Sequence, residues 1–379
     1  MTNQPLSRRG FAGVLGAAMG AAIFESTFAA GAAPNVPATA AGGPVRLNAN
    51  ENPYGPSPRA SRAIAQSVRS ASRYPDDLAR DLRDSLSRHH GVAPEQVVLG
   101  CGSSQILQMA DLAYLGPGRK IVASEPTFEA VLAYAVPMRA EAVKVPQTAD
   151  FRHDLARMAA ACDEQTGLAY VCNPNNPTGT IVGADELADF VSKVPASAIV
   201  LVDEAYHHFV EDRRYRTSVE LLARHPNLIV ARTFSKIYGL AGMRLGYAVA
   251  SPRAAKELSE RASWDNVNAA VLSAGLACLS DPNIVTDCRR KMNETRRWLC
   301  AELERDGRRY IPSHANFVMI DVGGEVAPVI HAFRSRNMEV GRKFPSMPNW
   351  LRISIGKPEE MRAFVAGLRE IVPAKQKAA

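Results

Sequence analysis

The apolar run Leu228-Ile229-Val230-Ala231 leads almost directly into Thr233-Phe234-Ser235-Lys236, with Gly239, Gly242 and Arg244 close behind. A short β-branched run that ends in hydroxyl and cationic side chains reads as a buried strand delivering polar groups at its carboxyl end. Three upstream segments follow the same pattern. Val97-Val98-Leu99 precedes Gly100-Cys101-Gly102-Ser103-Ser104-Gln105, and Leu168 to Cys172 precedes Asn173-Pro174-Asn175-Asn176-Pro177-Thr178-Gly179. Ile199 to Val202 precedes Asp203-Glu204-Ala205-Tyr206. Helix-like stretches, Ser103 to Leu115 and Phe128 to Ala135, fall among further strand-like ones, Lys120 to Ala123 and Tyr247 to Ala250. Strands alternating with helices predict an α/β fold with a mixed, mostly parallel sheet covered on both faces. In such sheets ligands bind beyond the carboxyl ends of the strands, which is where the unusual residues fall. Beyond about residue 265 the pattern changes to a long Arg-rich helical segment. Asn316 to Val322 and Leu351 to Ile355 then read as strands of a smaller α+β domain.

Composition narrows the function classes. The chain has 379 residues, 46% hydrophobic and 22% charged, which excludes disorder throughout, a coiled coil and a collagen-like fibre. Lys and Arg exceed Asp and Glu by 45 to 38, a net charge of +7 with no long basic run, so nucleic acid is a poor partner. The mean hydropathy of −0.13 argues against an integral membrane protein. None of the six cysteines forms a C-x-x-C pair or lies at zinc-finger spacing from a histidine, so free thiols and no metal site are expected. His89-His90 is expected to end a helix on the surface, and His207-His208 to lie at the surface or behind a site. Met338 and Met347 suit a pocket or the core equally.

At the N-terminus, Ser7-Arg8-Arg9-Gly10-Phe11 opens an uncharged stretch through Phe24, with an A-x-A site at Ala30-Gly31-Ala32. A basic head, a short apolar stretch and small residues at a cleavage site are the layout of an export signal, and the paired arginines resemble the twin-arginine type. Residues 1–32 are read as that signal and 33–44 as a linker. Residues 76–266 are read as a large domain, and 45–75 with 267–379 as an N-terminal arm and small domain. The expected location is outside the cytoplasm, in the periplasm of a Gram-negative source.

The segments after the strands carry complementary chemistry. Gly102-Ser103-Ser104 opens a helix, whose free N–H groups and hydroxyls suit an anion. Thr233, Ser235 and Arg244 add hydroxyls and a guanidinium, the usual partners of a phosphate. Lys236 is a candidate amine nucleophile and Asp203 an acid at a strand end. Pyridoxal phosphate needs this set: a lysine for its aldehyde, a carboxylate to keep its ring nitrogen protonated, and a phosphate cradle.

Six strings in order resemble fold-type I pyridoxal-phosphate aminotransferases, in particular the histidinol-phosphate aminotransferase branch, over about residues 45 to 372. They are Leu47-Asn48-Ala49-Asn50-Glu51-Asn52-Pro53, Ser72-Arg73-Tyr74-Pro75, Asn175-Asn176-Pro177-Thr178-Gly179, Asp203-Glu204-Ala205-Tyr206, Ser235-Lys236 with Gly239 to Gly246, and Leu351-Arg352-Ile353-Ser354-Ile355-Gly356. The resemblance implies that Lys236 holds the cofactor and shuttles the substrate proton, and that Asp203 pairs with the ring nitrogen. It implies that Asn176 and Tyr206 bind the ring hydroxyl oxygen and that Phe128 stacks on the ring. Gly102, Ser103, Ser104, Thr233, Ser235 and Arg244 would hold the phosphate, with Tyr74 reaching the phosphate of a neighbouring subunit in a homodimer. Arg352 would grip the substrate α-carboxylate. Arg342 resembles a second substrate-side arginine, although residues 343–350 (KFPSMPNW) depart from the family pattern. The implied reaction passes an amino group from an L-amino acid or related amine, histidinol phosphate-like or aromatic, to a 2-oxo acid. A decarboxylase or lyase on the same fold is the alternative, because the shared residues do not choose the bond broken. A non-catalytic exported binding protein is a third reading, disfavoured because Lys236 and Asp203 are both present.

Overall fold

Apolar runs too short for helices and rich in Val, Ile and Leu make the strands of this protein, which a computed structural model describes over residues 43–373. The proposed export signal and residues 33–42 of the linker lie outside those described residues. In chain order the strands are β1 (Val45–Leu47), β2 (Val97–Gly100), β3 (Lys120–Glu125), β4 (Glu141–Pro146), β5 (Thr166–Cys172) and β6 (Ile199–Asp203). They continue with β7 (Leu228–Thr233), β8 (Gly246–Ala250), β9 (Tyr310–Ile311), β10 (Phe317–Asp321), β11 (Met338–Val340) and β12 (Trp350–Ser354).

A seven-stranded sheet runs in the order β2-β8-β7-β6-β5-β3-β4. All its neighbouring pairs are parallel except those of β8, which is antiparallel to both β2 and β7. Strands β2, β5, β6 and β7 therefore point the same way, and their carboxyl ends share one edge. Strands β5, β6 and β7 are buried along their whole length. That burial explains their continuous apolar character: alternate residues such as Val200 and Val202 pack into one core, Ile199 and Leu201 into the core on the other face. Edge strand β4, mostly exposed along Glu141–Pro146, has no apolar run to announce it.

The remaining strands form two small sheets. Strand β10 is antiparallel to β9 and β12, while β1 pairs in parallel with β11. The Arg-rich segment expected after residue 265 is the helix Ile284–Arg305, which an apolar helix, Ala269–Leu279, precedes. Arg352, at the centre of β12, pairs with Met319 of β10. A central strand position fixes the arginine's backbone, so its side chain is aimed by the sheet and not by a loop.

Candidate active site

The carboxyl ends of β5, β6 and β7 open onto a cavity of about 330 Å³. Of the residues picked out from the sequence, Ser103, Ser104, Phe128, Asn176, Asp203, Tyr206, Thr233, Ser235, Lys236, Arg244, Arg342 and Arg352 all line it. Gly102 and Tyr74 do not. Gly102 acts through its lack of a side chain: at φ +77° a Cβ there would lie 2.2 Å from an Arg244 Nη atom. Gly246 serves the same approach from the other side, since a Cβ would lie 2.2 Å from the Ser103 backbone nitrogen. Tyr74 is 80% exposed in its own chain.

One end of the cavity suits a phosphate. Helix Ser103–Tyr114 starts at Gly102 with no side-chain cap, which leaves its first N–H groups free for an anion. The Thr233 hydroxyl donates to Ser235 Oγ at 3.0 Å, and Arg244 donates to the same oxygen at 3.3 Å. Arg244 makes no ion pair among the described residues, and it holds a left-handed φ of +65°. That conformation costs an arginine about 1–2 kcal/mol, which the surrounding loop must offset.

The other end is built around an amine and an acid. Lys236 Nζ donates to the carbonyls of Asn50 and Ala49, at 3.1 and 3.4 Å. Burial lowers its pKa to about 8, helped by the nearby Arg352 charge and opposed by Glu51 and Asp203. Asp203 ends β6, only 3% exposed. Burial raises its pKa to about 6, against the pull of the Ala205 N–H, the Tyr170 hydroxyl and the Lys236 charge. Its neighbour Glu204 faces another way and is spent on a buried ion pair, 2.7 Å from Arg232. Only one of the two adjacent acids thus serves the cavity.

Arg352 is buried, and burial lowers its pKa to about 10. It donates to Asn176 Oδ1 at 2.7 Å and to the Asn48 carbonyl at 2.8 Å, while its Nε has no partner among the described residues. A guanidinium facing only neutral acceptors, with one N–H unpaired, is a ready receptor for a carboxylate. Arg342 reaches Glu129 at 2.6 Å and lies over the Phe344 ring, 4.3 Å from its centre. Phe344 and Met347 belong to a small core with Trp350, and Met338 to the main core, so both methionines are packing residues.

The histidine readings hold in part: His89 is exposed at the end of its helix, as expected. His90 does end its helix, but it is half-buried with Nε2 2.9 Å from the Tyr247 hydroxyl, and burial holds it neutral. Of the two places expected for His207 and His208, the surface one falls: both are half-buried beside Arg232, the partner of Glu204, and burial drives both well below the usual histidine range. The sequence reading gave no role to Asn50, which ties the site together. It sits at φ +52°, donates from Nδ2 to the Tyr206 hydroxyl at 3.1 Å, and binds Ser354 through its backbone N–H and its Oδ1. Its partners lie 156 to 304 residues away, so no local signal marks it beyond an asparagine's tolerance of that φ. Cys172 and Tyr170 were missed in the same way.

Among the cavity's lining residues, four cations (Lys236, Arg244, Arg342 and Arg352) face two acids (Glu51 and Asp203), so the ligand is anionic. Pyridoxal phosphate fits: the side-chain-free turn at Gly102 admits a phosphate to the open helix end, and the amine and acid stand beyond it. Fold and site together define a pyridoxal-phosphate-dependent enzyme on the fold-type I scaffold. The chain belongs to the aminotransferase class I and II family, whose profile matches residues 43–368, and it is an aminotransferase. It is 39% identical over 331 residues to a histidinol-phosphate aminotransferase of Moorella thermoacetica, covering 86% of this chain and 85% of that one. It is 40% identical to the histidinol-phosphate aminotransferase of Symbiobacterium thermophilum over 86% of this chain and 90% of that one. The solved histidinol-phosphate aminotransferase of Sinorhizobium meliloti, in complex with pyridoxal-5'-phosphate, superposes with a TM-score of 0.82 at 28% identity, over 86% of this chain and 90% of that one.

Proposed function

We propose that this aminotransferase takes its amino group from a phosphorylated amine, histidinol phosphate or a close analogue, and passes it to a 2-oxo acid. The observation that carries the reading is the pair of arginines flanking Phe344: Arg352 lies 5.2 Å and Arg342 4.3 Å from the ring centre. One cation is buried and suits the oxo acid's carboxylate. The other stands at the mouth on an ion pair that is 52% exposed on both sides, weak enough for a substrate phosphate to displace Glu129.

Bound pyridoxal phosphate supplies an electron sink for the pair left when the substrate's C–H bond breaks. Lys236 carries that proton; an amine with pKa near 8 is partly neutral at pH 7 and accepts and returns protons readily. Asp203 would keep a negative charge beside the ring nitrogen. Asn176 and Tyr206 would hold the ring hydroxyl oxygen, and half-buried Phe128 would cover the ring face against water. Gly102, Ser103, Ser104, Thr233, Ser235 and Arg244 would hold the phosphate. Retention of the carboxylate on Arg352 favours transamination over decarboxylation. The test is a set of single half-reactions of the purified enzyme with histidinol phosphate and with aromatic amino acids, followed by absorbance. Histidinol phosphate is expected to react at least about tenfold more efficiently; a faster unphosphorylated donor overturns the reading.

The active unit of this reading is a homodimer. Val68, Tyr74 and Trp264 are 68%, 80% and 95% exposed. Val68 and Tyr74 line one depression with Asp265, the residue after Trp264. Large apolar side chains exposed together mark a surface that a partner covers, and a second copy fits here because it would bring Tyr74 to the other subunit's phosphate. Mixing Lys236→Ala with Tyr74→Phe subunits then restores one complete site per heterodimer, and activity rises above either parent. No rise despite subunit exchange removes Tyr74 from the shared site. Export by the twin-arginine route is the corresponding proposal for residues 1–32, and Arg8→Lys with Arg9→Lys is expected to leave folded precursor in the cytoplasm. Unchanged export by cell fractionation counts against it.

A further inference from the structure

Strands β5 and β6 are paired so that Cys172 stands opposite Asp203 and Tyr170 opposite Leu201. Side chains two residues apart on a strand share a face, so Tyr170 and Cys172 flank Asp203 on the same side of the sheet. From there the Tyr170 phenol reaches along the sheet and donates to Asp203 Oδ2 at 3.0 Å. The other carboxylate oxygen accepts the Ala205 N–H, also at 3.0 Å. Tyr170 is fully buried, and its hydroxyl is the only side-chain donor to Asp203 among the described residues.

We propose that Tyr170 is a positioning residue for catalysis: its phenol locks the Asp203 carboxylate on the sheet and keeps it charged where the cofactor's ring nitrogen binds. This rests on the reading of Asp203 given above. The groups around the acid leave that task to Tyr170. Cys172 turns its thiol to the Pro174 carbonyl at 3.3 Å. Glu204 is occupied by Arg232, Thr217 and the Ser218 N–H. The Tyr206 hydroxyl accepts from Asn50, and Lys236 binds the Asn50 and Ala49 carbonyls. Burial works against the charged form of Asp203, with the Glu204 charge adding to it. The Ala205 N–H, the Tyr170 hydroxyl and the Lys236 charge favour ionisation. Of these, Tyr170 is the only side chain that both orients the acid and stabilises its charge through a direct bond. A phenol donating to an ionised acid belongs to the stronger class of hydrogen bonds.

Tyr170→Phe removes the oxygen and keeps the ring that fills the core, so the fold is retained. The sign follows from which form the bond favours. Losing a donor to the carboxylate raises the Asp203 pKa, so the acid limb of the kcat/KM profile moves to higher pH. A shift of about one pH unit is expected, with cofactor dissociation constants raised on the order of tenfold, as measured by reconstituting the apoenzyme. A ring-fluorinated tyrosine at position 170, a stronger donor of nearly the same size, moves the limb the other way. In an Asp203→Asn background, Tyr170→Phe adds less than about a twofold change in either readout. An unmoved limb and cofactor affinity in Tyr170→Phe, or equal losses with and without the Asp203 charge, overturn the proposal. If Asp203→Asn alone leaves kcat and cofactor affinity intact, the reading of Asp203 itself fails, which is a separate outcome.

Discussion

Replacing Lys236 with alanine is expected to lower kcat by more than about 10³-fold while leaving the protein folded. The expected loss is large because the proposed reading gives one amine two purposes, covalent attachment and proton transfer, and general acid–base catalysis alone contributes on the order of 10²–10⁴-fold. The fold survives for reasons visible around the side chain. Among the described residues Lys236 Nζ donates only to the Asn50 and Ala49 carbonyls, and the Asn50 carbonyl keeps a second donor, Asn316 Nδ2 at 3.0 Å. Truncation therefore leaves Asn50 paired, and it removes an amine that burial already disfavours in its charged form. The melting temperature is expected to stay within about 3 °C. Steady-state assays with thermal melts of the same preparations check both halves. Borohydride treatment should attach cofactor to the peptide carrying Lys236 in the wild type and to no lysine in the variant. Retained turnover, or label on another lysine, removes Lys236 from its role.

Much of this site was legible because its residues follow buried strands. In Leu168 to Cys172, Ile199 to Asp203 and Leu228 to Ala231, continuous apolar runs announce strands, and the first polar residues after them mark the sheet edge where ligands bind. Strand β5 begins earlier, at Thr166, and keeps its end at Cys172, while β7 runs on to Thr233, so that the first polar residue after its apolar run, Arg232, lies within the strand and pairs with Glu204. Strand direction was not legible: nothing in Tyr247 to Ala250 says that β8 runs antiparallel to both neighbours. Edge strand β4 was also missed, since a half-solvated edge needs no apolar run. The supporting residues were the least accessible. Asn50, Tyr170 and Arg232 act through partners placed by tertiary folding, and each has the local appearance of an ordinary loop or core residue. His90 misled for the same reason, because the end of a helix is exposed only if nothing packs there, and Tyr247 does.

Arg352→Lys separates the two halves of the proposed reaction. A 2-oxo acid brings a carboxylate to Arg352, whereas histidinol phosphate carries on the corresponding carbon a phosphate ester, whose extra bonds let it reach on to Arg342 and ask less of Arg352 alone. Lysine keeps the charge but loses the planar fork. It cannot satisfy Asn176 Oδ1, the Asn48 carbonyl and a carboxylate in the directions that Arg352 covers. The site is buried, so water does little to compensate for a misplaced donor. Removing one partner of a buried, charge-assisted pair costs about 2–5 kcal/mol, so kcat/KM for the oxo acid half-reaction is expected to fall on the order of 10²–10³-fold. The half-reaction with histidinol phosphate is expected to fall less than about tenfold. Single-turnover kinetics on each half, followed by the cofactor's absorbance, measure the two losses independently. Equal losses would mean that Arg352 supports the site through Asn176 and Asn48 and does not recognise the carboxylate. A larger loss with histidinol phosphate would move phosphate recognition from Arg342 to Arg352 and reverse the proposed orientation of the substrate.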